Sequence, residues 1–204
     1  MTRLLLVRHG RSELNAAGRV QGWLDSPLDE LGREQARRTA RRLQSEQPQV
    51  VYTSPLRRAQ ETAEAVAAAF AIPLLADDRL RERDAGALAG LNSEEIEEQF
   101  PEWVQQWRAS RRMIAPPAGE QPADFCARIV AAFDEIITRH LDGVATVVTH
   151  GGVLATYMGH LLGLEAGRWA PFAFGNGSLT IVDVRSDGPR IRLVNDRCHL
   201  EVEG

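Results

Sequence analysis

The chain contains no lysine: all 24 of its basic residues are arginine. That removes Schiff-base chemistry at a side-chain amine and the phosphate-gripping lysine of a P-loop. A coding bias is the simplest origin of the swap, so the absence excludes chemistries without naming one. Cysteine is almost missing as well. Cys126 and Cys198 are too few and too far apart for a disulfide framework or a cysteine metal site, and Cys126 falls in a helical pattern as a small core residue. The five histidines show no HExxH or related ligand spacing, so neither metal nor cofactor is implied. No apolar run approaches the roughly 18 to 20 residues of a membrane span. The N-terminus passes from residues 4–7 into polar sequence without the h-region of a signal peptide, which makes a cytoplasmic location the expectation. A formal net charge of −4 argues against a general nucleic-acid binder.

What the chain does have is two short apolar runs that end alike. Leu4-Leu5-Leu6-Val7 leads into Arg8-His9-Gly10, and Val144-Ala145-Thr146-Val147-Val148 leads into Thr149-His150-Gly151-Gly152. Short continuous apolar runs of this kind read as buried strands. In open α/β sheets ligands bind beyond the carboxyl ends of strands, so both imidazoles could meet at one sheet edge.

Further strands are expected over residues 50–53 and 72–75, and a hairpin over 178–184 and 190–194 around Ser186-Asp187-Gly188-Pro189. Helical spacing follows Asp29, a plausible N-cap, through Leu31, Ala36, Ala40 and Leu43. Ser54-Pro55 opens a second helix carrying Ala59, Ala63, Val66 and Phe70, and Asn92 or Ser93 caps a third that runs to about Arg108 with a break at Pro101. Asp124 caps a helix through Phe125, Ile129, Phe133 and Ile136, and residues 152–162 follow as the last. Residues 11–28, 77–91 and 111–122 read as loops. The alternation predicts one α/β domain over residues 1–204: a three-layer sandwich with a mainly parallel central sheet flanked by helices, and an edge hairpin near the C-terminus. An excursion over about residues 84–122 is lid-like.

Taken singly, the polar residues near the strand ends are ordinary. Arg58, in Ser54-Pro55-Leu56-Arg57-Arg58-Ala59, and Glu82, in Leu80-Arg81-Glu82-Arg83, each match a solvated surface charge. A histidine beside a strand is as often a hydrogen-bonded structural residue. Together they place two histidines, two arginines and a carboxylate beyond strands or in an adjoining loop, and a guanidinium fork there suits phosphate. Gly10 would let the backbone approach a ligand closely.

That set resembles the histidine phosphatase superfamily, in the branch holding cofactor-dependent phosphoglycerate mutases and their phosphatase relatives. The likeness runs through Arg8-His9-Gly10-Arg11-Ser12-Glu13-Leu14-Asn15, Val20-Gln21-Gly22-Trp23-Leu24-Asp25-Ser26-Pro27-Leu28, Ser54-Pro55-Leu56-Arg57-Arg58-Ala59-Gln60-Glu61-Thr62-Ala63, Leu80-Arg81-Glu82-Arg83, Gly90-Leu91-Asn92 and Thr149-His150-Gly151-Gly152. It implies that His9 attacks phosphorus as a neutral imidazole to give a phosphohistidine. Arg8, Arg58 and His150 would hold the phosphoryl oxygens, with Asn15, Gln21, Gly22 and the Gly151 N–H also on the phosphate. Glu82 would protonate the departing alkoxide and then take a proton from the attacking water.

Three functions stay in view: a metal-independent phosphatase of small phosphomonoesters, a cofactor-dependent mutase, and a phospho-ligand binder without turnover. The segment from Glu82 to Asn92, Gln106-Trp107-Arg108 and the Arg111-Arg112 pair lean toward the mutases. Those enzymes usually carry a tyrosine where Ala85 stands, a lysine where Ser93 stands and an asparagine where Gly152 stands, and these departures favour hydrolysis. The binder is disfavoured because every catalytic position is filled. Phosphoserine and sugar or glycerate phosphates are the candidate substrates, and either a monomer or a homodimer is compatible with the chain. Arg111 and Arg112 could meet a substrate carboxylate, His199 could reach the pocket rim, and Trp103 and Trp107 are expected to pack in the core.

Overall fold

The four apolar residues of the first run are all fully buried because they feed two cores at once. In a computed structural model, which describes residues 1–110, 112–168 and 170–201, strand β1 (Thr2–Arg8) lies inside a six-stranded sheet. Successive side chains of a strand face opposite ways. Leu4 and Leu6 therefore join one core, with Phe125, Ile129, Phe133, Val153 and Tyr157. Leu5 and Val7 join the other, with Ala40, Ala59, Ala63 and Val66. A strand buried on both faces has no room for polar alternation, and this is why the run reads as continuous.

The remaining strands are β2 (Val50–Thr53), β3 (Leu74–Ala76), β4 (Val144–Thr149), β5 (Leu179–Arg185) and β6 (Gly188–Asp196), in the spatial order β3-β2-β4-β1-β5-β6. The first four strands of that order run parallel, and β5 and β6 form an antiparallel hairpin at the edge. The expected three-layer sandwich with a mainly parallel sheet is what the chain adopts.

Its helices are α1 (Glu13–Ala16), α2 (Glu30–Arg42), α3 (Arg57–Phe70), α4 (Ser93–Gln99), α5 (Pro101–Ala109), α6 (Pro122–Arg139) and α7 (Gly151–Leu161). Asp29 caps α2 through Gly32 N, and Asn92 caps α4 in a capping box with Glu95. Three local expectations need correction. Residues 11–28 contain α1, capped by Ser12. Pro55 precedes α3 instead of opening it, because Leu56 is the N-cap and still extended. Asp124 is not a cap: α6 starts at Pro122, and Asp124 lies in the first turn, where a carboxylate meets the positive end of the dipole. The expected break at Pro101 is real and divides α4 from α5 at Phe100.

Between β3 and α6, the segment holding α4 and α5 builds a small apolar cluster of its own around Ala85, Leu88, Ile96 and Val104. Among the described residues, no helix is long and apolar enough to cross a membrane.

Candidate active site

Three parallel strands end at the same edge. Arg8 pairs with Thr149 in the β1–β4 register and Thr53 with Val148 in the β2–β4 register. The next residues, His9, His150 and Ser54, therefore emerge side by side. The rings of His9 and His150 have centroids 5.1 Å apart at 61°.

His9 Nδ1 lies 2.7 Å from the carbonyl of Gly10. A carbonyl only accepts, so Nδ1 carries the hydrogen and Nε2 keeps the lone pair. On the other imidazole, Nε2 is 2.7 Å from Ser54 Oγ. Ser54 Oγ accepts from Leu56 N at 3.3 Å, and we assign its own hydrogen to His150 Nε2, the tautomer that turns an N–H toward the two arginines' side of the ring. The His150 hydrogen then sits on Nδ1, a buried atom with no partner among the described residues.

Burial, followed by the charge of Arg58, holds both imidazoles well below the usual histidine range; Arg8 adds to it, and His9 adds to it for His150. A histidine that stays neutral in the fold and regains its ordinary basicity on unfolding makes the unfolded chain bind more protons as pH falls. This stabilisation is full above about pH 6.5 and is lost as pH falls toward the folded-state value. His140 and His199 are shifted the same way, both mainly by burial. The expected result is a melting temperature that drops between about pH 7.5 and about pH 5, with a shallower slope in His150→Asn. A melting temperature flat over that window would contradict the buried neutral assignment.

Arg58, on the first turn of α3, is 1% exposed. It donates to Leu24 O and Gly22 O, each at 2.8 Å. Burial pulls its pKa down to about 10 against the attraction of Glu82. Arg8 donates through Nη1 to Phe174 O, and its pKa is likewise lowered by burial. The Nε atoms of both arginines are buried without a partner among the described residues.

Glu82 faces this group from the loop after β3. One carboxylate oxygen accepts from Arg83 N at 2.9 Å and the other from Gly152 N, in the first turn of α7, at 3.0 Å. Asn15 Oδ1 accepts from Ser12 N at 3.3 Å and Asn176 Nδ2 at 3.1 Å. Gln21 Oε1 accepts from Ser12 Oγ at 2.8 Å. With these oxygens occupied, both side chains offer amide N–H groups to the cavity. Gly22 has φ +51°, and a Cβ there would lie 2.6 Å from Ala85 N. Only glycine allows this close approach.

Arg8, His9, Asn15, Gln21, Gly22, Arg58 and Glu82 all line one cavity of about 510 Å³. His150 and Gly151 are not on its wall. His150 is fully buried beside His9, and Gly151 begins α7 next to Arg8, where an added Cβ would sit 3.5 Å from Nε.

Several expectations fall differently. Gly10 is small for the sake of the fold, because a Cβ there would come within 2.4 Å of Gly32 O in the first turn of α2. Trp103 and Trp107 stack on each other (centroids 6.2 Å apart, planes 7° apart) and line the cavity; Trp103 packs against the small apolar cluster as expected, whereas Trp107 is exposed. Arg112 is absent from the cavity wall and pairs with exposed Glu165; Arg111 lies outside the described residues. His199 turns away to Thr39 Oγ1 at 3.2 Å and Gly177 O at 3.1 Å. Because surface ion pairs contribute little, Arg112→Ala should change kcat/KM for phosphoserine and p-nitrophenyl phosphate by no more than about twofold. Steady-state kinetics on both substrates check this.

Ser54, Asn176 and Trp23 had not been singled out. Asn176 also donates to His9 O at 3.2 Å, and the Trp23 indole donates to Glu82 O at 2.7 Å. Ser54 carried a usable signal, since it follows a strand that ends level with β4.

The profile of the histidine phosphatase superfamily (branch 1) matches residues 4–197. Phosphoserine phosphatase 1 of Hydrogenobacter thermophilus is 33% identical over 200 residues, covering 98% of this chain and 95% of that protein. A probable phosphoglycerate mutase, GpmB, of Photorhabdus laumondii is 32% identical over 206 residues, covering 98% and 96%. Among solved structures, Bacillus stearothermophilus YhfR superposes with a TM-score of 0.91 at 35% identity, covering 98% of this chain and all of that one.

Proposed function

The chain belongs to branch 1 of the histidine phosphatase superfamily, and from that premise we propose that it hydrolyses small phosphomonoesters through a phosphohistidine on His9. The observation that carries the reading is the orphaned set around that ring. Arg8 Nε, Arg58 Nε and His150 Nδ1 are buried without partners among the described residues. Buried donors left unsatisfied are costly, and three beside one imidazole suit a phosphoryl group with several anionic oxygens.

In the first half-reaction His9 Nε2 bonds to phosphorus as the ester P–O bond breaks, and protonated Glu82 gives its proton to the departing oxygen. In the second, Glu82 takes a proton from water, the water oxygen bonds to phosphorus, and the N–P bond breaks to release orthophosphate. Arg8 and Arg58 neutralise the equatorial charge in both steps, and neutral His150 adds a hydrogen bond. Asn15 and Gln21 supply neutral donors, and Gly22 holds Arg58 in place through its carbonyl. The positive charge that a phosphoryl transition state requires comes from Arg8 and Arg58, so release should persist in chelator.

A mutase must retain and return its phosphoryl group to a gripped phosphoglycerate. Ala85 is packed against Gly22, with no phenol there, and Ser93 lines the cavity where the mutases place an ammonium. Arg19 and Arg108, which also line it, are paired bidentately with Glu95 and Glu97. These features support hydrolysis of phosphoserine, sugar phosphate or glycerate phosphate esters over phosphoryl return.

A phosphomonoester panel read by orthophosphate release tests the proposal, beside a coupled assay from 3- to 2-phosphoglycerate with and without bisphosphoglycerate. Release without interconversion is expected. Interconversion stimulated by bisphosphoglycerate and faster than release would replace this reading with the mutase.

A further inference from the structure

Glu82 sits on a loop with little regular structure, yet its carboxylate must meet a leaving oxygen at hydrogen-bond distance. The carbonyls of that loop need donors, since buried backbone acceptors are rarely left bare. Trp23 Nε1 reaches Glu82 O and Thr149 Oγ1 reaches Leu80 O, each at 2.7 Å, but the side chain that spans three of these carbonyls is Arg128 on α6. Its Nη1 donates to Arg79 O at 2.6 Å and Arg81 O at 2.7 Å, and its Nη2 donates to Glu82 O at 3.0 Å. The other two donors go to Glu120, from Nε at 2.7 Å and Nη2 at 2.9 Å. A guanidinium has five N–H donors in a planar fork, and every one is committed here.

Glu120 extends the hold. Its carboxylate accepts from Asp84 N at 3.2 Å, and its own N–H donates to Asp84 O at 3.1 Å. The pair therefore grips the loop on both sides of Glu82. The two side chains are only 18% and 13% exposed, which shelters the pair from solvent screening.

We propose that Arg128 is the positioning residue of the proton donor, setting the height of Glu82 over His9 by fixing the carbonyls of residues 79, 81 and 82. The proposal rests on the reading of Glu82 as general acid. Lysine cannot take over the role: one ammonium with three hydrogens cannot bridge three carbonyls and a carboxylate in a plane.

The test compares kcat/KM for p-nitrophenyl phosphate, whose leaving group departs readily as an anion, with that for a primary alkyl phosphate, whose alkoxide needs a proton. kcat/KM reports the step in which the leaving group departs, whatever limits turnover. Arg128→Lys should lose about 100-fold on the alkyl ester, the scale of a misplaced catalytic group. It should lose less than about 10-fold on the nitrophenyl ester, where proton donation contributes little. Inhibition by inorganic phosphate should be unchanged, because Arg8 and Arg58 are not touched. Glu82→Gln, run in parallel, should show the same ordering with a larger gap.

Equal losses on both esters in folded Arg128→Lys, beside a discriminating Glu82→Gln, would overturn the role of Arg128 alone. A Glu82→Gln that does not discriminate would overturn the underlying assignment and this one with it. Should Arg128→Lys fail to fold, Glu120→Gln carries the same comparison: a smaller loss selective for the alkyl ester is expected, and an unselective one overturns the proposal.

Discussion

Replacing His9 with alanine should reduce phosphate release by about 10⁴- to 10⁶-fold in kcat, the scale seen when a covalent nucleophile is removed. No other residue near the bound phosphoryl group can take over. The second imidazole donates from Nδ1 and has its Nε2 engaged by Ser54, so it offers no lone pair to phosphorus. The effect has a companion in labelling. Wild-type enzyme quenched during turnover of a ³²P-labelled ester should carry acid-labile, base-stable label, as a phosphoramidate does, and His9→Ala should carry none. Folding should survive, because among the described residues His9 makes one side-chain hydrogen bond, to its own neighbour's carbonyl. The variant should also be less destabilised by acid, having lost one neutral buried imidazole. Label on His9→Ala would move the nucleophile elsewhere.

Why His9 and His150 could be paired from sequence alone is itself physical. Each closes an apolar run too continuous to be an exposed strand, and parallel strands must end at a common edge. Arg58 was legible for the same reason, one turn past a third strand. What stayed hidden depends on contacts between distant segments. Gly10 read as a gap for ligand, but the neighbour that needs the gap is Gly32 O. Trp103 and Trp107 looked like core because their spacing fits a buried helical face. The break at Phe100 restarts the helix so that Val104 is buried, Trp103 is shared between the small apolar cluster and the cavity, and Trp107 is left exposed at the cavity. Arg128 did leave a trace: it sits between Phe125 and Ile129, both buried in the core of α6. A charge on that face needs a partner, but nothing in a linear chain says that the partner is the loop bearing Glu82.

Gly152→Ala should separate activity from stability more sharply than any other single change. A Cβ at residue 152 would stand 2.3 Å from Glu82 Oε1 and 3.0 Å from its Cδ. The obstacle is the far end of a flexible side chain and no backbone, so the carboxylate can swing aside. The fold loses little. Alanine in a helix is favoured over glycine by about 1 kcal/mol, and Gly152 lies in the first turn of α7. Stability should thus hold or rise slightly. Activity should not, because the swing takes Glu82 off Gly152 N, which holds one of its oxygens at 3.0 Å, and away from the leaving oxygen. Loss of the proton donor should lower kcat/KM for an alkyl phosphate by about 10²- to 10⁴-fold, with p-nitrophenyl phosphate affected far less. Thermal unfolding and kinetics on the two esters check both halves. Full activity in a folded Gly152→Ala would mean that the carboxylate works from a different position, and that the glycine after His150-Gly151 serves some end other than room for Glu82.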